Sequence, residues 1–201
     1  MTYRTKKGIA SILPYAIWMA MMFFLPSTPE CYAARTLVTL IILVPCFVYI
    51  EKYHGVIHRN NTMFPELVWG VLVGIVVLVL WIWPEQFEWY RKWCIVGEGG
   101  TTDIAQSERI FKIIRLVGSG LVISVAEELF FRRWLMRFAG FWWMVVLFAI
   151  EHDRWLAAAA AGILYGWLAL RKGLVSAIVA HITTNLLLGL YVIDTHNWQF
   201  W

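Results

Sequence analysis

The sequence predicts an all-α fold, a polytopic bundle of about seven transmembrane helices, and three observations carry that prediction. Of the 201 residues, 61% are hydrophobic and only 15% charged, with a mean hydropathy of +0.66. Soluble domains use roughly 45–50% apolar residues. The apolar residues fall in long runs and nowhere sustain an alternation of period two, which disfavours a transmembrane barrel. The basic residues sit at the ends of those runs and read as orientation signals, so the net charge of +4 gives no argument for nucleic acid as a partner.

The first run, Gly8–Leu25, follows Arg4, Lys6 and Lys7 much as a signal peptide would. It ends in FFLPSTPE without a small-residue cleavage site, so it is expected to be a retained signal anchor. Thr36–Ile50 and Leu67–Trp83 follow as the second and third helices. Ile110–Leu135 is the fourth and carries charge within it. Phe141–Ile150 is too short to cross alone, since a spanning helix needs about 17 residues or more, and is expected to half-cross with help from its flanks. Trp155–Leu170 and Leu174–Ile193 complete the set. The stretch between Pro84 and Arg109 contains WPEQFEWYRKW, whose tryptophans and Tyr90 suit the membrane interface. No internal repeat interrupts the chain, which is assigned as one integral membrane domain, residues 1–201.

With the N-terminus in the cytoplasm, that side receives Lys52, His54, His58 and Arg59, then Arg132, Arg133 and Arg137, then Arg171 and Lys172. The positive-inside rule is met at every turn. Cys31, Cys46 and Cys94 lie far apart without a CxxC pair and suggest neither a zinc knuckle nor a disulfide framework.

Ionisable groups inside apolar helices are costly and default to functional candidates. Glu127 and Glu128 lie in the fourth helix, His152 at the end of the fifth, and His181 with Asn185 in the seventh. Glu128 and Arg132 are four apart and share a face, as an ion pair within one helix would. Glu127 is turned about 100° from Glu128 by the helical period and is left without that partner. An unpaired carboxylate in apolar surroundings suits a general base. His181 and Asn185, one turn apart, serve equally as a catalytic pair or as polar glue between helices. His152, beside Glu151, Asp153 and Arg154, reads equally as part of a solvated helix end. Counted from the cytoplasmic helix ends, Glu127, His181 and His152 lie roughly 8, 12 and 15 Å deep at 1.5 Å per residue. One buried pocket near the cytoplasmic face would hold all three, helix tilt absorbing the spread.

HExxH and GxSxG are both absent from the chain, and Asp103, Asp153 and Asp194 all lie near helix ends, so the common zinc-protease, serine-hydrolase and aspartate-pair arrangements are not indicated. Two histidines and a carboxylate, His152, His181 and Glu127, form a plausible three-ligand set for a divalent metal such as zinc. The same groups would orient water directly, and no cofactor is the favoured expectation.

EELFFR (Glu127, Glu128, Arg132), FAIEH (Phe148, His152) and HITTN (His181, Asn185) resemble, in order, the EExxxR, FxxxH and HxxxN motifs of the CAAX-protease and bacteriocin-processing (CPBP, or Abi) family of intramembrane endopeptidases. EHDRW and the ending HNWQFW further resemble its bacterial subgroup called CAAX prenyl protease-related, found alongside exosortase protein-sorting systems. The resemblance, confined to residues 127–185 for its motifs, implies a helical bundle in a bacterial inner membrane. It implies Glu127 as the catalytic carboxylate, His152, His181 and Asn185 as the other catalytic residues, and Glu128, Arg132 and Phe148 as site support. The implied activity is hydrolysis of a peptide bond in a membrane protein or peptide within the lipid bilayer, by water that Glu127 activates. Nothing in the sequence speaks for a prenylated substrate. Two other readings stand beside this one: a small transporter or proton relay, and a non-catalytic immunity or scaffold protein that keeps the polar cluster for packing.

Overall fold

The computed structural model describes residues 3–54, 63–96 and 105–201; His58, Arg59, Glu98 and Asp103 lie outside the described residues. The described chain is helical, as composition and periodicity require. Helix α1 is Tyr3–Phe24, α2 Pro29–His54 and α3 Met63–Ile82; a 3-10 turn at Trp83–Gln86 leads to a short α4, Glu88–Cys94. A long helical stretch, α5, covers residues 109–139, and α6 (Phe141–Ile150), α7 (Trp155–Arg171) and α8 (Leu174–Thr195) follow. A 3-10 turn, Trp198–Phe200, lies near the C-terminus.

All seven expected runs are helices, with their ends moved by local chemistry. Helix α2 begins at Pro29 and not at Thr36. The Thr28 hydroxyl accepts from the Cys31 N–H at 3.3 Å, Pro29 takes the first helical position, and Glu30 sits in the first turn, a good helix start. Arg35 is thereby carried into the core, where it is 5% exposed. Gly140 (φ +91°) and Gly173 (φ +102°) close α5 and α7 in a conformation that L side chains rarely adopt, so the chain reverses sharply at each.

Pro29–Tyr53, Phe64–Gln86 and Leu174–Thr195 are long and apolar enough to cross a membrane, and Gly8–Phe24, Phe141–Ile150 and Trp155–Arg171 are shorter apolar helices. Leu37, Ile41, Val44 and Val48 on α2 and Leu72, Ile75, Val76 and Val79 on α3 are exposed in the isolated chain. Such stripes belong in lipid. The protein is an integral membrane helix bundle.

Helices α3 and α8 form the closest pair. A methyl group added at Gly70 would come within 2.8 Å of the Val179 side chain, and one at Gly74 within 2.6 Å of the Ala180 carbonyl. This is small-xxx-small packing, in which the missing side chains let two backbones approach.

The helices run up and down, which defines two faces. The near face holds the start of α1, the end of α2 and the α5–α6 and α7–α8 turns; there Gly8 faces the Trp134 indole, and Lys172 stacks on Trp69 at 5.5 Å. The far face holds the α1–α2 turn, α4, the start of α5, the α6–α7 turn and the C-terminus. There Glu85 pairs with Arg154 and accepts from Gln199 Nε2 at 2.8 Å, and the Val96 N–H donates to the Asp153 carbonyl at 2.7 Å. The 84–96 segment is only partly interfacial: Trp89 and Trp93 are exposed as expected, but Tyr90 is 1% exposed. Tyr90 and Cys94 are four apart and form the inward face of α4, so the tyrosine is a core residue.

Candidate active site

Helix α5 does not keep a uniform α geometry. Gly118–Ile123 and Leu129–Leu135 are π-helical and flank the α-helical turn Ser124–Glu128. Widened turns of this kind recur at functional sites because they re-aim side chains. Here they frame the carboxylate pair.

Glu128 is fully buried. Its Oε1 lies 3.0 Å from Arg132 Nη1 and 2.9 Å from His181 Nδ1. Facing both a guanidinium and an imidazole, this oxygen accepts, so His181 Nδ1 carries a hydrogen and donates it. The other ring nitrogen, Nε2, then points at Glu127, whose Oε2 is 3.7 Å away. One imidazole thus stands between two carboxylates that the helical period directs apart, because α8 approaches the gap between them. Arg132 is enclosed by aromatic rings, 4.2 Å from the Phe148 centroid and 5.4 Å from that of Tyr165.

Helix α6 ends one turn after Phe148, and His152 occupies the turn that follows. His152 Nδ1 is 2.8 Å from the Phe148 carbonyl. A carbonyl only accepts, so Nδ1 carries the hydrogen and Nε2 offers a lone pair. The shortness of α6 follows from this geometry: it stops where its histidine is needed. Phe148 contributes both that carbonyl and a ring 4.6 Å from His152 and 6.0 Å from His181.

Asn185 donates through Nδ2 to the Ser119 carbonyl and to Ser124 Oγ, each at 3.1 Å. Both amide hydrogens are engaged, and Oδ1 is left as the free end. A role for Asn185 as a ready oxyanion donor does not fit this arrangement.

A cavity of about 390 Å³ is lined in its inner part by His152, His181 and Asn185; Glu127 and Glu128 lie behind His181 and are not part of its lining. Trp81, Arg115, Asp153, Gln199 and Trp201 line its outer part, where the far-face ends of α3, α5, α8 and the α6–α7 turn meet. Its lining includes no residue from the near-face turns. The lining lies toward the far-face ends of the helices, away from the near-face turns. Distance to the nearest helix end measures depth, whereas the opening is decided by which helix ends splay.

The expected metal ligands do not converge as a set. Among the described residues no three His, Cys, Asp or Glu side chains are grouped to hold an ion. His152 and His181 have each committed Nδ1 to a protein acceptor, and Glu127 Oε2 points at the remaining nitrogen of His181.

Several contributors were not anticipated. Tyr165 stacks on His181 at 5.0 Å and 25°, and its hydroxyl donates to Thr184 Oγ1 at 2.7 Å. Thr184 in turn faces the Gly74 carbonyl at 2.8 Å, so the α3–α8 contact also fixes the site. The signal available in the sequence was GVLVG, Gly70–Gly74, a small-xxx-small run within an apolar helix. Ser119 and Ser124 carried no motif. Of Glu151, Asp153 and Arg154, the first two are exposed as a solvated helix end would be, and Arg154 is buried against Glu85.

Fold and site together define a membrane-embedded helix bundle with a buried carboxylate–imidazole cluster at the inner end of a cavity, the equipment of an intramembrane hydrolase. Residues 109–187, which hold all of that cluster, match the family described as Rce1-like, type II CAAX prenyl endopeptidase. Over this segment the chain is similar to the CAAX-protease family. No curated protein and no solved structure matches the chain.

Proposed function

We propose that the protein is an intramembrane endopeptidase in which Glu127 activates water against a peptide bond of a membrane protein or membrane-bound peptide. The observation that supports this best is the contrast within the cluster: the Glu127 side chain keeps 12% exposure and lies 3.7 Å from His181 Nε2, while its neighbour Glu128 is fully buried with Oε1 against both Arg132 and His181.

In this reading the attacking water gives one hydrogen bond to Glu127 and the other to the free Nε2 of His152. Glu127 takes the proton as the water oxygen bonds to the scissile carbonyl, and later returns it to the leaving amine. His181, in its protonated form and anchored by Glu128, directs Nε2–H at the developing oxyanion. Loss of one such donor costs about 3–4 kcal/mol in other hydrolases. Asn185 acts by fixing Ser119 and Ser124, and with them the turn that presents Glu127. No metal is needed in this scheme. The setting we propose is a bacterial inner membrane with the N-terminus in the cytoplasm, and an exosortase-type sorting system is the partner suggested by the subgroup resemblance. The test is a proteolysis assay with purified protein in liposomes and a panel of single-span membrane-protein tails; products should appear with the wild type and not with Glu127→Gln. Equal cleavage by both would remove Glu127 from the mechanism.

A further inference from the structure

Two arginines near the far face have no carboxylate to answer them. Arg115, one turn before Ser119 on α5, lines the outer part of the cavity. Its guanidinium lies 4.7 Å from the Tyr32 ring and 5.8 Å from the Trp201 ring, and its buried Nε has no partner. Arg35 on α2 lies on the same tyrosine at 5.5 Å and on Trp18 at 5.6 Å, and its Nε is also unsatisfied. Among the described residues neither arginine forms an ion pair. Glu85 is taken by Arg154, and Asp153, which lines the same cavity as Arg115, forms no ion pair with it.

Aromatic rings alone do not account for this. A ring offers a cation about 0.5–1 kcal/mol at an exposed site and around 2 when desolvated, less than leaving buried guanidinium donors unsatisfied costs. Burying two like charges around one ring adds repulsion. An arginine–aromatic arrangement with open donors facing a cavity is a recognition device for a planar anion, since the guanidinium fork matches a carboxylate.

We propose that Arg115, backed by Arg35 across Tyr32, is the specificity-determining cation of this site and receives an acidic side chain, Asp or Glu, of a peptide that enters from the far face. The proposal rests on the peptidase reading for what the anion belongs to. Its position sets a register. Arg115 precedes Glu127 by twelve residues of helix, about 18 Å at 1.5 Å per residue, and extended chain advances about 3.3 Å per residue. The acidic residue therefore lies about five to six residues from the scissile bond, on the far-face side. A lipid phosphate carries a similar charge, but the cavity that Arg115 lines is continuous with the histidines, which favours a group on the substrate itself.

The test uses thiol chemistry at Leu188, a cavity-lining residue on α8 outside the catalytic groups. With Cys31, Cys46 and Cys94 replaced by serine, Leu188→Cys is reacted with an anionic and a cationic methanethiosulfonate, in uncharged detergent micelles and in liposomes of defined orientation. The anionic-to-cationic rate ratio should fall about tenfold when Arg115→Gln is added, the size expected for one unpaired charge in a cleft. Reaction should come from the face opposite a cysteine placed by Arg137→Cys. A ratio unmoved by Arg115→Gln, with stability lowered, would make the arginine a packing residue and overturn the proposal. A ratio that shifts in micelles but not in liposomes would assign the arginine to lipid phosphate, also overturning it. Labelling from the same face as Arg137→Cys would overturn the entry side. The peptidase reading fails separately: a chain that shows the charge-selective ratio but cleaves none of the tails keeps an anion site and loses the hydrolytic one.

Discussion

Glu128 is enclosed, with one oxygen shared between Arg132 Nη1 at 3.0 Å and His181 Nδ1 at 2.9 Å, whereas the Glu127 side chain keeps 12% exposure and lies 3.7 Å from His181 Nε2. The two differ by one position on the same helical turn. What separates them is what each faces: a wall of Phe148, Tyr165 and Arg132 on one side, and on the other the Nε2 edge of an imidazole that lines the cavity. The difference teaches that a membrane bundle can spend one carboxylate on holding a histidine and leave its neighbour free to accept a proton. The enclosed half pairs its strongest charges away from water; in the proposed mechanism the open half supplies the base.

The sharpest way to break that comparison is to substitute each side in turn. Glu127→Gln keeps shape and removes the base, so turnover should fall by about 10²–10⁴-fold, with the thermal unfolding midpoint in detergent unchanged. Arg132→Ala should act the other way, lowering stability by about 3–5 kcal/mol because Glu128 is left as an uncompensated buried charge; denaturant titration and membrane yield would read it. If Glu127→Gln unfolds the protein, or if an Arg132 variant is stable yet inactive, the division between holding and reacting is drawn in the wrong place.

How much of this was legible in the sequence follows from which interactions are local. The Glu128–Arg132 pair needs only the four-residue spacing, and the burial of Glu127 needs only the apolar run around it, so both were readable. The seven helices were readable for the same reason. That His181 bridges the two carboxylates was not, because it depends on where α8 crosses α5, and two π-helical segments reset the directions that an ideal 3.6-residue period assigns. The ion pair of Glu85 and Arg154 joins residues 69 positions apart, and Arg154 looked like part of a solvated end because its partner sits in another loop. Which end of the bundle the cavity lies toward was not legible for a related reason: counting residues from a helix end locates a side chain but says nothing of which helix ends part.

The support behind the enclosed half can be weakened by degrees. Gly74→Leu should abolish accumulation of folded protein, since a side chain there meets the Ala180 carbonyl at 2.6 Å and backbone cannot give way cheaply. Recovery of normal yield would mean that α3 and α8 are not held at this distance. Tyr165→Phe is milder. It keeps the ring stacked on His181 but loses the hydrogen bond to Thr184, so a loss of about 0.5–1.5 kcal/mol is expected, with a small effect on rate. A rate effect as large as that of Glu127→Gln would make Tyr165 a participant and not a support.

The smallest expected effect is that of metal removal, and it bears on the open half alone. A catalytic zinc site wants three protein ligands within about 2.0–2.2 Å of one ion and a position for water. His152 and His181 each retain only Nε2, and the one at His181 lies 3.7 Å from Glu127 Oε2, a spacing that suits a shared water or proton better than two bonds to one ion with Glu127 also serving as base. If Glu127 were a ligand, the base would have to be another carboxylate, and Glu128 is occupied by Arg132 and His181. Treatment with a chelator that leaves the protein folded should therefore leave turnover within about twofold of the untreated enzyme, and elemental analysis should find no stoichiometric zinc. Loss of activity on chelation, restored by added zinc, would pass oxyanion stabilisation from His181 to the metal, and the free oxygen of Glu127 would then be a ligand position and not a base.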